Sequence, residues 1–260
     1  MIEKRTLQAP ASWLSQLYEY FVYYGGLLLF AVMCLAWSLV AVPLGLLLPE
    51  RTGLRLGRWA IMVGFRAYLR IIELSGLVEC DLDALDSLGD ERSLIIAPNH
   101  PSLIDVVLIV SRLPNAACII KANLWDQIIL GGSARLAGYI RNISQARLIV
   151  DATREIESGS QLLVFPEGTR TRGKQIQPFK GGFALIAKRA QAPVQTVFIE
   201  INHPFLCKEC SLLKKPEFPL QFRARLGERF LPPDEVRPYV SRLEQYCRSQ
   251  VAGDEAGRGR

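Results

Sequence analysis

Only two histidines occur in the 260-residue chain, and one of them, His100, has the neighbours of a general base. It stands in Ala97-Pro98-Asn99-His100-Pro101-Ser102-Leu103-Ile104-Asp105, at the mouth of an apolar strand and just before a helix. Strand ends of open α/β sheets are where ligands bind. Asp105 lies five positions on, in the expected first helical turn, and can fold back onto the imidazole. A carboxylate on one ring nitrogen fixes the tautomer and raises the basicity of the other, which can then take a proton from an alcohol. The logic of a Ser-His-Asp triad survives if the nucleophile is the substrate's own hydroxyl. Ser102-Leu103-Ile104-Asp105 also reads as a capping box, in which Asp105 serves only the helix start.

A second block, Leu163-Val164-Phe165-Pro166-Glu167-Gly168-Thr169-Arg170-Thr171-Arg172, runs from a buried strand into Pro and Gly and then into two arginines. Gly168 permits close backbone approach, and Arg170 offers a planar fork suited to phosphate. Arg170, Arg172, Lys174, Lys180, Lys188 and Arg189 fall in a stretch without a single acid. A Pro-Gly turn carrying solvated charges would give the same residues. The six cysteines, Cys34, Cys80, Cys118, Cys207, Cys210 and Cys247, are scattered. A disulfide framework belongs to small, cysteine-dense secreted chains, so they are expected to be reduced thiols in a cytosolic compartment. Cys207-x-x-Cys210 with His203 falls short of a four-ligand zinc set, and no metal is expected.

The elements that must hold these residues alternate. Strands are expected at Ser93–Pro98, Ala117–Lys121, Gly138–Arg141, Gln161–Phe165 and Val194–Ile201, with a further one at Phe218–Leu226. Between them Ser102–Leu113, Asn123–Leu136, Ser144–Glu157 and Gly181–Gln191 read as helices, and Asp234–Val251 as a closing helix. The pattern predicts an α/β fold with a mixed, mostly parallel sheet flanked by helices.

Half the residues are apolar, and 31 Lys+Arg against 25 Asp+Glu leave a net charge of +6. Disorder is excluded for the bulk of the chain. A chain both basic and apolar points to a membrane surface rather than to nucleic acid. Tyr20 to Pro49 holds no charged side chain, which is long enough to cross a bilayer. Its aromatic lead (Trp13, Tyr18, Tyr20, Phe21, Tyr23, Tyr24) resembles an interfacial belt, and Pro43 and Gly45 make a bent or re-entrant helix an alternative to a straight span. Over 51–74 the arginines at 51, 55, 58, 66 and 70 share about a third of a helix circumference, as in an amphipathic helix on an anionic leaflet. The expected organisation is an anchor over 1–76 (apolar helix 25–49, amphipathic helix 51–74), a catalytic domain over 77–252 and a disordered tail over 253–260. The positive-inside rule places the arginines and all that follows them on the cytoplasmic face of the cell (inner) membrane.

Together, Asn-His-x-x-x-x-Asp and Phe-Pro-Glu-Gly-Thr-Arg, in this order and spacing over Leu94–Ile201, resemble the glycerophospholipid acyltransferase family typified by bacterial 1-acylglycerol-3-phosphate acyltransferase. The resemblance implies that His100 is the general base on a lysolipid hydroxyl, with Asp105 holding it. It implies that Glu167, Gly168, Thr169 and Arg170 bind the acceptor's glycerol phosphate, and that Lys121 matches a basic position near the acceptor. The co-substrate would be acyl-CoA or acyl carrier protein, with no cofactor, and the further partners would be membrane lipids. Gly138-Tyr139-Ile140-Arg141-Asn142 and Ala192-Pro193-Val194-Gln195-Thr196-Val197 depart from the family's usual blocks, which leaves the acceptor open between lysophosphatidate and an ornithine or specialised lipid. A hydrolase using the same His100–Asp105 pair is discouraged by the lack of a Gly-x-Ser-x-Gly elbow, and a silent lipid binder by the presence of both residues.

Overall fold

The computed structural model describes residues 13–171 and 175–258. Arg172 and Lys174 of the basic stretch lie outside the described residues. Seven strands form one sheet: β1 (Val78–Asp81), β2 (Leu94–Pro98), β3 (Ala116–Lys121), β4 (Ile140–Asn142), β5 (Gln161–Leu163), β6 (Val194–Ile201) and β7 (Leu220–Phe230). Their spatial order is β1-β7-β6-β2-β5-β3-β4. Every pairing is parallel except β6 with β7, so the mostly parallel sheet expected from the alternation is present. The helices are α1 (Trp13–Leu47), α2 (Glu50–Glu73), α3 (Asp105–Val110), α4 (Ala122–Trp125), α5 (Ile128–Leu136), α6 (Gln145–Glu157), α7 (Gly182–Ala190) and α8 (Val236–Arg258).

β2 is central and buried over all five residues. Its side chains alternate, as a pleat requires. Leu94 and Ile96 face one core together with Leu82, Leu85 and Leu108, which Phe30, Phe65 and Tyr68 of α1 and α2 join. Ile95 and Ala97 face a second core with Ile149, Ile156, Phe183 and Leu243 from α6, α7 and α8. Both faces of the sheet are thus covered, which is why β2 reads as an unbroken apolar run.

α1 starts well before the expected 25–49 and continues through Pro43 for 35 residues. It is the one described helix long and apolar enough to cross a membrane. It does not project from the body. Phe30 packs on Phe65 and Tyr68 of α2, Tyr18 Oη donates to Ser75 O, and near its other end a Cβ on Gly132 of α5 would meet Ser38 O at 3.0 Å and Val42 Cγ2 at 2.9 Å. Its outward stripe is bare: Trp13, Leu17, Phe21, Leu28, Leu39 and Leu46 are exposed, spaced to lie on one helix face.

Three expectations are corrected. Arg58 does not face a leaflet; it is 4% exposed. Its Nε donates to Ala137 O (2.9 Å), Nη1 to Asn115 Oδ1 (2.9 Å) and Ser160 Oγ (2.7 Å), and Nη2 to Glu155 Oε1 (2.7 Å). Gly57 allows this docking, since a Cβ there would lie 2.8 Å from Ala137 N and Leu136 C. Arg66 stays exposed, with its Nε donating to Ser111 O at 3.1 Å. Second, α8 runs as helix to Arg258, past the residue where the tail was expected to begin. Third, Cys207 and Cys210 are joined as a disulfide, with Cα atoms 4.9 Å apart, where reduced thiols were expected. A two-residue spacer in a turn brings the thiols together whatever the rest of the cysteine pattern says. The remaining four are free, and burial pushes Cys80, Cys118 and Cys247 up to about 12, which makes them poor nucleophiles at neutral pH.

Smaller differences have local causes. The helix expected over 123–136 breaks at Asp126-Gln127, where Asp126 pairs with Arg141 at 2.9 Å. β1, polar at alternate positions in Val-Glu-Cys-Asp, carries no apolar run and was not expected.

Candidate active site

β2 ends at Pro98, which cannot donate to the ladder, and Asn99 continues the pairing with its side chain. Asn99 Oδ1 accepts from Ile199 N (2.7 Å) and its Nδ2 donates to Ile199 O (3.0 Å). This fixes the chain direction as it leaves the carboxyl edge of the sheet, and His100 is the next residue.

His100 Nδ1 lies 2.8 Å from Asp105 Oδ2. The same oxygen accepts from Ser102 N at 2.8 Å, so the two readings of Asp105 hold together: one carboxylate oxygen turns the chain and orients the ring. Asp105 is fully buried, and its Oδ1 has no hydrogen-bond partner among the described residues. Burial pushes its carboxyl up to about 6, against the opposing pull of the His100 and Ser102 hydrogen bonds. The imidazole stacks on Phe165, with ring centroids 3.8 Å apart and planes 21° apart. Nε2 has no partner among the described residues. The pair can therefore take a proton at Nε2 while Asp105 compensates the charge that forms.

The second block closes over the first. Glu167, 2% exposed, accepts at Oε1 from His100 N (3.3 Å) and Thr171 Oγ1 (2.7 Å), and at Oε2 from Gln177 N (2.9 Å). Thr171 N donates to His100 O at 2.7 Å. Glu167 is a clamp between the two motifs, with both oxygens engaged. Gly168 holds φ +66°, and a Cβ there would strike the Lys180 side chain at 2.8 Å, so only glycine suits the turn. Arg170 Nη1 donates to Leu206 O and Cys207 O, both at 2.8 Å; its Nε and Nη2 have no partner among the described residues. Thr169 Oγ1 accepts from Lys208 Nζ at 3.0 Å. Lys121 is exposed at the carboxyl end of β3, on the same sheet edge as His100, and makes no described hydrogen bond or ion pair.

The structure thus brings His100, Asp105, Glu167, Gly168, Thr169 and Arg170 into one assembly, with Lys121 on the same edge. Sequence reasoning missed three contributors. Asn99 and Phe165 sit inside the quoted motifs, but neither was given a role there, Phe165 reading as an ordinary strand residue. The loop 203–210 enters through Ser102 Oγ donating to Phe205 O (2.6 Å) and Leu103 N to Leu206 O (3.1 Å). Cys207-x-x-Cys210 and His203 marked that loop in the sequence, but they read as a surface loop with two thiols and gave no link to the site. His203 is elsewhere, 3.4 Å from Glu217. Among the described residues no three His, Cys, Asp or Glu side chains are grouped to hold a metal ion.

Comparison with known proteins bears on the family and the fold. A model of the family Acyltransferase matches residues 81–200, a span that contains both motifs. Curated relatives include a 1-acyl-sn-glycerol-3-phosphate acyltransferase of Helicobacter pylori, 27% identical over 44% of this chain and 52% of its own. The 1-acyl-sn-glycerol-3-phosphate acyltransferase alpha of Homo sapiens is 24% identical over 57% of this chain and 55% of its own. The chain thus spans about half the length of these relatives. Among solved structures, the 1-acyl-sn-glycerophosphate (LPA) acyltransferase of Thermotoga maritima superposes with a TM-score of 0.65 at 20% identity, over 94% of this chain and 95% of that one, which speaks to the fold. Both motifs lie inside the span that the Acyltransferase family model matches, and the fold is shared with the Thermotoga maritima enzyme, so the chain is similar to the glycerophospholipid acyltransferases in motifs and in fold.

Proposed function

We propose that this chain is a membrane-bound O-acyltransferase that moves a fatty acyl group from a thioester, acyl-CoA or acyl carrier protein, to the free hydroxyl of 1-acylglycerol-3-phosphate, giving phosphatidate. The observation that carries it is the His100–Asp105 pair at 2.8 Å on the carboxyl edge of the sheet, with Nε2 unpartnered and the Arg170 guanidinium held through Nη1 alone among the described residues. His100 Nε2 takes the hydroxyl proton as the acceptor oxygen attacks the thioester carbonyl. The tetrahedral intermediate then collapses with cleavage of the C–S bond, and the departing thiolate takes the proton back from the imidazolium. Asp105 stabilises that imidazolium, and Arg170 Nε and Nη2 are free to hold the phosphate. The activated acyl group supplies the driving force, so the reading needs no cofactor.

Residues 77–252 are read as the acyltransferase domain and 1–76 as its anchor. The bare stripe of α1 supports contact with lipid, and its packing along the body favours a helix embedded beside the body over a span that leaves it. Exposed Arg51, Arg55 and Arg70 support the cytoplasmic face; the thiol argument is weaker now that Cys207 and Cys210 are joined. The departures at 138–142 and 192–197 keep an ornithine or specialised lysolipid as the alternative acceptor.

The test incubates membranes bearing the chain with labelled acyl-CoA or acyl carrier protein and a panel of lysolipids. Labelled phosphatidate is expected with lysophosphatidate and none from His100→Ala. Equal transfer by His100→Ala would sink the mechanism, and free fatty acid released whatever the acceptor would make the chain a hydrolase.

A further inference from the structure

We infer that the loop Ser211–Lys215 is a second lipid-contacting element, which together with α1 seats the mouth of the His100 site on the bilayer interface. The inference rests on the proposed membrane reading and adds to it a contact outside the anchor helices.

Leu212 and Leu213 are 54% and 82% exposed. Single exposed leucines are ordinary, but these two are held to the flank of α1 beside its bare stripe, by the buried Tyr23 and the exposed Tyr24. Tyr23 Oη donates to Leu212 O at 2.9 Å and Tyr24 Oη to Leu213 O at 2.8 Å. Lys215 Nζ pairs with Glu19 at 2.5 Å and sits 5.4 Å from the centre of the Tyr20 ring. The loop backbone is thereby turned towards the helix and both leucine side chains are left outside. With the exposed Tyr20 and Tyr24, which the loop touches, and with Phe21 exposed between them in the sequence, they add to an apolar surface of the kind that marks an interaction site.

The surroundings fit a bilayer interface better than a protein groove. Tyr18, Tyr23 and Tyr24 line this end of α1, each with an apolar ring and a hydroxyl donating to a backbone carbonyl. Lys214, exposed next to Leu213, can lay its stem on lipid and keep its ammonium in the headgroups. Lys208, Lys214 and Lys215 are matched by Glu19, Glu209 and Glu217, so the contact is an apolar one and calls for no anionic lipid. The same strap also carries Phe205, Leu206 and Cys207, whose carbonyls accept from Ser102, Leu103 and Arg170. Leu103, 53% exposed, stands beside His100. Lipid contact and acceptor site therefore lie on one continuous segment.

The test places the full chain in phosphatidylcholine nanodiscs doped with a phosphatidylcholine bearing a diazirine near the carbonyl end of its acyl chain, irradiates, and maps adducts by peptide mass spectrometry. Adducts on 211–215 as well as on α1 are expected. Adducts confined to α1 and α2 overturn the inference and leave the anchor reading standing; adducts on neither overturn both. A second arm compares L212S/L213S with the parent. Transfer to an acceptor embedded in the bilayer is expected to fall about tenfold, while transfer to a short-chain acceptor dissolved as monomers stays the same. Equal losses on the two acceptors would make the loop a structural part and refute the lipid contact. A parent inactive on both would count against the proposed function alone, because the adduct map does not depend on turnover.

Discussion

Glu167 is where the structure and the family resemblance part, and replacing it separates them. The resemblance puts Glu167 against the acceptor; the geometry gives both its oxygens to the protein, at 3.3 Å to His100 N, 2.7 Å to Thr171 Oγ1 and 2.9 Å to Gln177 N. Hydrogen bonds to a charged acceptor contribute about 1.5–3 kcal/mol each. Glu167→Gln keeps Oε1 but turns an amide NH2 towards the Gln177 N–H, so one bond is lost and two donors oppose, at a cost of about 2–3 kcal/mol. Glu167→Ala strands all three donors and is expected to cost about 3–5 kcal/mol. Both variants release the His100 loop, and a displacement of about 1 Å at a reacting group reduces turnover by about a hundredfold. Thermal unfolding in nanodiscs and steady-state kinetics read the two effects. The expected pattern is lower stability and lower kcat, graded Ala worse than Gln, with the KM for lysophosphatidate within about twofold. Because the Glu167 charge helps raise Asp105, the acid limb of the Glu167→Gln pH profile should also move down. Unchanged stability with a raised KM for phosphate-bearing acceptors would refute the clamp and restore the acceptor contact.

Other outcomes follow from the same geometry. Burial holds the Asp105 carboxyl at about 6, and the proposed mechanism needs it ionised, so kcat should fall as pH drops through about 6. Asp105→Asn should abolish that acid limb and cut kcat by about 10²–10⁴. It should not lower the melting temperature at pH 7–8, because a neutral amide replaces a buried charge and still accepts from His100 and Ser102. Arg170→Ala should raise the KM for phosphate-bearing acceptors and leave the acyl donor's KM unchanged; an equal loss with a phosphate-free acceptor would remove Arg170 from the phosphate. Arg58→Met should cost about 3–5 kcal/mol of stability by taking the cationic partner from Glu155, which keeps Ser160 Oγ, and the donor from Ala137 O, seen as a lower melting temperature. A surface arginine lost from a lipid face would leave the melting temperature unchanged.

The sheet was readable because its central strands are buried on both faces and therefore spell continuous apolar runs. β6 matches its expected span to the residue, and β2 within one. The polar edge strand β1 gave no such signal, and neither did the break between α4 and α5, which an ion pair across to β4 helps to set. At the site, the two motifs named the residues that meet but not how they divide the work. Nothing in Phe-Pro-Glu-Gly-Thr-Arg distinguishes a glutamate aimed at substrate from one aimed at the backbone of His100. The distinction lies in which side of the loop the peptide of His100 passes, and that is decided by Asn99 bonding across to β6. Likewise the arginine periodicity of α2 was real, but periodicity identifies a face and not its neighbour. Arg58 shares the face of Arg55 by angle, yet Gly57 beside it lets the helix approach α5 so closely that its guanidinium enters the body.

That burial changes what the N-terminal helices are. An anchor joined by a linker would leave the distance from lipid to His100 undefined, and substrate capture would depend on diffusion of a tethered domain. Here Arg58 is bonded to the turns that begin β3 and β5, and Phe30, Phe65 and Tyr68 share the core with Ile96 and Leu108. α1 and α2 are therefore part of the domain's packing, and the bare apolar stripe of α1 is held rigidly relative to the sheet edge that carries His100. Under the proposed function, a lysolipid hydroxyl has to reach Nε2 while its acyl chain stays in apolar surroundings. A fixed offset between stripe and base meets that need without any movement of the body, and it makes the depth at which the domain sits a determinant of which hydroxyl, and so which acceptor, arrives at His100.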